Sequence, residues 1–77
     1  MIEKYRLIER NLKLIKQLTK DGYISPKLLL YYEIYIIYRT DKDSSKLERY
    51  KKIARLTKSS VTTVRRAVAD MKSYVPG

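Results

Sequence analysis

The stretch SSVTTVRRAVADMK, Ser59 to Lys72, decides how this chain is read. Val61, Val64, Val68 and Met71 recur at spacings of three, four and three, with Ala67 alongside. That is the buried stripe of an amphipathic helix running from about Val61 to Lys72. Ser60 stands where an N-cap belongs. Turning the helix by about 100° per residue puts Thr62, Arg66, Ala69 and Ser73 on the far side and Thr63 and Arg65 on its flanks. A plain solvated face usually mixes Glu with Lys, yet Val61 to Ala69 contains no acid, and the first is Asp70. Short hydroxyl residues and arginines are suited to a DNA groove. Arg bonds guanine O6 and N7 in bidentate fashion, and Thr offers a hydroxyl and a methyl.

Charge points the same way. Eighteen Lys and Arg oppose eight Asp and Glu in 77 residues, a net charge of +10. An excess of this size favours a polyanionic partner, nucleic acid or an anionic membrane. Length implies one domain, and a domain this small buries only about 60% of the surface its unfolded chain exposes. Neither Cys nor His is present, which removes disulfides, thiolate metal sites and the commonest general base. No Gly-rich phosphate loop and no usefully spaced acidic pair occur, so an enzyme is not expected. Asp41 and Asp43 flank Lys42 in a loop and read as a turn, not a metal site. No cofactor, metal or small-molecule substrate is expected.

Working outward, four helical segments and no strand can be placed. The first spans about Ile2 to Lys20. Tyr5, Ile8, Leu12 and Ile15 form one stripe, and Leu7, Leu14 and Leu18 a second beside it. So wide a face suggests two neighbours, its own core and a second copy, making Tyr5, Ile8, Leu12 and Ile15 a candidate dimer interface. Gly22 is a C-terminal stop. Ser25-Pro26 opens the second segment, which runs through LLLYYEIYIIY, Leu28 to Tyr38. Apolar on all sides, it reads as a central helix with its tyrosines in the core. That run of 11 residues carries Glu33, and a membrane span needs roughly 20 apolar residues. The N-terminus, MIEKYRLIER, is charged from its third residue, so no secretory leader is expected. After the polar loop Thr40 to Ser45, SKLE forms a capping box for a third helix, with Leu47, Tyr50, Ile53, Ala54 and Thr57 inward.

IARLTKSSVTTVRRAVADMK, Ile53 to Lys72, resembles the helix-turn-helix core shared by many bacterial, phage and archaeal regulators and plasmid replication initiators. The matching positions are Ile53-Ala54, Leu56-Thr57, Ser60 and Thr63-Val64-Arg65-Arg66-Ala67-Val68, without a gap. The preceding apolar helix looks like the first helix of the winged-helix subset. The resemblance covers roughly the last 50 residues. It departs at the turn, where family members usually carry Gly and then an apolar residue. Lys58 and Ser59 stand there instead. A left-handed Lys58 costs about 1 kcal/mol relative to Gly. The tail SYVPG is too short for the two strands of a wing, so the domain is wingless or the 77 residues belong to something longer.

The expected fold is therefore all-α: one four-helix domain over residues 1–77, with residues 1–22 as a possible dimerisation helix and residues 25–77 as the helix-turn-helix core. The expected function is sequence-specific binding of double-stranded DNA by a small transcriptional regulator of viral or plasmid type. Such a protein acts in the cytoplasm, at the nucleoid. Thr62, Thr63, Arg65 and Arg66 would contact bases. Lys51, Lys52, Arg55, Lys58, Ser59 and Ser60 would contact phosphates, and a homodimer would double the base contacts. Two alternatives share the pattern: a module of a replication initiator or recombination accessory protein, and a protein-interaction module that inhibits a host protein.

Overall fold

The computed structural model describes residues 1–42 and 44–76. Asp43, read above as part of a turn, and Gly77 lie outside the described residues. The elements are β1 (Ile2–Glu3), α1 (Lys4–Arg10), α2 (Leu12–Lys20), α3 (Pro26–Thr40), α4 (Lys46–Thr57), α5 (Val61–Lys72) and β2 (Tyr74–Val75). The chain is mainly helical, as its patterning implies.

Three serines start helices as expected. Ser25 Oγ accepts from the Lys27 N–H at 3.3 Å with Pro26 in the first turn, Ser45 Oγ from Glu48 N–H at 3.3 Å, and Ser60 Oγ from Thr63 N–H at 3.1 Å. Two helices also close alike. Gly22 (φ +86°) follows α2, and the N–H groups of Gly22 and Tyr23 bond Thr19 O and Leu18 O. Lys58 (φ 55°, ψ 39°) follows α4, and the N–H groups of Lys58 and Ser59 bond Arg55 O and Ala54 O. Both ends satisfy terminal carbonyls through a left-handed residue. Only Gly22 does so without Cβ strain. Lys58→Gly should therefore raise stability by about 1 kcal/mol, which moves the melting temperature up by about 4–8 °C in a domain of this size.

The single first helix expected over Ile2 to Lys20 is divided. Asn11 leaves the helical region (φ −117°, ψ 22°), its N–H bonds Ile8 O at 3.1 Å, and its Nδ2 donates to Leu7 O at 2.9 Å. A short amide side chain has taken over a carbonyl that the next helical turn would have used. The described residues thus form five helices, not four. The division also separates the expected dimer stripe. Tyr5 and Ile8, on α1, are only 4% and 3% exposed and belong to the core of their own chain. They cannot present a face to a second copy. Leu12 and Ile15, on α2, are half-buried against the same core.

The expectation of no strand is also corrected. Ile2 pairs with Val75 and Glu3 with Tyr74 in a two-stranded antiparallel sheet, and Lys4 N–H bonds Ser73 O at 2.8 Å. Tyr74–Val75 thus finds its partner strand in Ile2–Glu3, more than seventy positions away in sequence. Two-residue strands carry too little alternation to show in sequence.

The core unites α1, α3, α4 and α5. Ile34, Ile53, Val64 and Met71 are its most completely buried large side chains. A row of tyrosines replaces the absent Phe and Trp: Tyr5 lies 4.9 Å from Tyr35, Tyr35 6.3 Å from Tyr38, and Tyr38 5.7 Å from Tyr50. These spacings are those of favourable ring contacts. Burial pushes the Tyr35 phenol up from its ordinary value. Cations cover the row from outside, Arg39 4.6 Å from the Tyr5 ring and Arg49 4.4 Å from that of Tyr38. Helix α3 is central but not enclosed. Tyr31, Ile34, Tyr35 and Tyr38 are buried, while Leu29 and Ile36 stay half-exposed, because so short a chain cannot cover every side. On α4 the inner face is Tyr50, Ile53, Ala54 and half-buried Thr57. Leu47, expected there, is 52% exposed on the first turn.

Candidate nucleic-acid interface

Helices α4 and α5 pack on one another and are joined by three residues, Lys58, Ser59 and Ser60. Val64, Ala67, Val68 and Met71 point into the core, which fixes the phase of α5 and turns Thr62, Arg65, Arg66 and Ala69 outward. Val61 is half-buried at the helix entrance.

The candidate base-contacting residues separate into two groups. Thr62 and Arg66 are exposed on the outer face. Thr63 is half-buried, and its Oγ1 lies 2.9 Å from Ser60 Oγ, so it supports the cap. Arg65 leans towards α4, its guanidinium carbon 5.9 Å from the Tyr50 ring. Arg65 thus marks the α4 flank of α5, and Arg66 marks the other.

The candidate phosphate contacts separate similarly. Lys51, Arg55 and Lys58 are exposed, with no ion pair to any of them among the described residues. Lys52 is 3.5 Å from Asp41 Oδ2, which dilutes its charge. Ser59 is half-buried and its hydroxyl works inside the turn, accepting from Thr57 Oγ1 at 3.1 Å and donating to Thr57 O at 3.4 Å. Ser60 is exposed, but its oxygen serves the cap. What α5 offers an anion at this end is the N–H groups of Val61 and Thr62, since that of Thr63 is taken by the Ser60 cap.

On α4 the exposed Glu48 shares an open cleft with Lys52 and Arg55, whereas α5 carries no acid over its first turns. The first acid along α5, Asp70, is held by Lys4, whose Nζ stands 3.0 and 3.1 Å from the two carboxylate oxygens. Both partners are about a third exposed, so the pair adds on the order of 0.5 kcal/mol and serves mainly to neutralise the acid.

Sequence reasoning missed what lies on the Arg66 flank. Lys4, Ser25, Lys27, Leu28, Tyr31, Arg66 and Asp70 line one open cleft between α1, α3 and α5. Lys27 and Arg66 stand far apart in the chain, and no local spacing announces their meeting. Among the described residues, no helix is long and apolar enough to cross a membrane. Comparison of the chain with protein-family models, with curated proteins and with solved structures returned no match in any of the three.

Proposed function

We propose that this protein binds double-stranded DNA in a sequence-specific manner as a small transcriptional regulator, with α4, the Lys58–Ser60 turn and α5 acting as a helix-turn-helix. The observation that carries this reading is the outer face of α5 and its border. Thr62, Arg65 and Arg66 face outward from a helix without an acid before Asp70, and Lys51 and Arg55 on α4 and Lys58 in the turn are exposed. In this reading Arg66 and Thr62 contact base edges. Lys51, Arg55 and Lys58 take phosphates and set the register. The site of action is then the nucleoid.

The test is fluorescence anisotropy of the purified chain on random-sequence duplexes across a salt series, combined with selection of tight binders. A steep fall of affinity with salt and an enriched motif are expected. A steep slope without any motif would refute sequence reading. No binding at low salt would refute the DNA reading altogether and turn attention to a protein partner. A palindromic motif would indicate two copies on one site.

Lys51→Ala should weaken specific and random duplexes alike and lower the salt slope by about 1. Lys58→Gly should do the same while stabilising the fold, because it relieves the left-handed strain and removes a cation. A variant that melts higher and binds more weakly would separate the two roles of Lys58.

A further inference from the structure

Besides Arg66, the cleft on that flank of α5 is built from residues that the α4-based reading does not use. Lys27 is on the first turn of α3, and its Nζ lies 5.2 Å from the centroid of the Tyr31 ring. Tyr31 is 9% exposed and fixed in the core, so the ring gives the ammonium a defined resting place. Arg66 lies on the same cleft from α5. The acid there, Asp70, is already bound by Lys4. The cleft therefore presents two uncompensated cations, Lys27 and Arg66, with no ion pair to either among the described residues.

Placement gives this charge a meaning. One side of α5 is bordered by α4, with Lys51, Arg55 and Lys58. The other side is bordered by the start of α3, with Lys27. A helix is about 10–12 Å across, and the major groove that admits it is about 12 Å wide. A helix lying in that groove has a phosphate ridge on each side. Cations on both flanks of one helix match that geometry, whereas a single basic patch needs only one.

We infer that Lys27 is a second phosphate anchor: it binds a DNA backbone phosphate on the flank of α5 opposite α4, while Arg66 beside it reaches the groove. The inference rests on the DNA-binding reading above and extends it. The domain grips both ridges of one groove, and its footprint is two-sided.

The experiment compares Lys27→Ala and Lys27→Arg with the unaltered chain, on the enriched motif and on random duplex, across the salt series. Thermal melting of each variant confirms that it is folded. Lys27→Ala is expected to lower the salt slope by about 1 and to weaken both duplexes by the same factor, roughly five-fold at about 0.15 M salt for one lost contact. Lys27→Arg keeps the charge and should keep both values. An unchanged slope for Lys27→Ala, with Lys51→Ala still lowering it, would overturn the second anchor and leave the DNA reading standing. A loss confined to the enriched motif would also overturn it, since a phosphate contact carries no sequence preference. Absence of DNA binding by the unaltered chain would instead remove the proposed function, and the anchor with it.

Discussion

Ile34→Ala should lower stability by about 2–5 kcal/mol, with a matching fall in the urea midpoint at unchanged denaturant slope. Ile34 has no exposed surface and sits at the centre of α3, in one core with Ile53, Val64 and Met71. Removing its outer carbons leaves a cavity that the surrounding helices can only partly fill. A domain of this length is stabilised by roughly 4–12 kcal/mol in total, so the substitution removes a large share. Ile36, two residues on, is the control. It is half-exposed, so Ile36→Ala should cost clearly less. Equal losses at the two positions would mean that α3 is enclosed on all sides, as its sequence suggests, and that Ile36 is not half-exposed.

Arg66→Ala should weaken binding to the enriched DNA motif by about 1–3 kcal/mol, or 5- to 150-fold, with a much smaller effect on random duplex. Both arginines are exposed, and Arg66 is chosen over Arg65 because the Arg65 guanidinium is drawn to 5.9 Å from the Tyr50 ring. Arg65→Ala should therefore lose less specificity. Anisotropy titrations of both variants on both duplexes check this. An equal loss on specific and random DNA from Arg66→Ala would assign Arg66 to the backbone and leave α5 without a principal base reader. Neither result depends on the second anchor at Lys27, whose loss is read in the salt slope.

The dimer reading changes with the division of the first helix. With Tyr5 and Ile8 inside the monomer, a charge at Ile8 would damage the fold itself. What α2 leaves open is Leu14, 58% exposed on the second apolar stripe, with half-buried Leu18 beside it.

Sequence alone determined the features that close within a turn or two of chain. Ser25, Ser45 and Ser60 start helices because a hydroxyl reaches an N–H two or three residues on, which requires nothing from the rest of the molecule. Gly22 and Lys58 end helices in the left-handed region, and the strain at Lys58 could be anticipated from the residue type. The α5 boundaries, its buried valines and its acid-free outer face follow from a 3.6-residue period read along one segment. Tertiary structure decided whatever depends on which neighbour arrives. It placed Tyr5 and Ile8 in the core, left Leu47 outside it, and paired Ile2–Glu3 with Tyr74–Val75. It turned Arg65 and Arg66 to opposite flanks and brought Lys27 beside one of them. Periodicity reports that a face is apolar or charged. Only the packing of helices distant in sequence determines what that face meets.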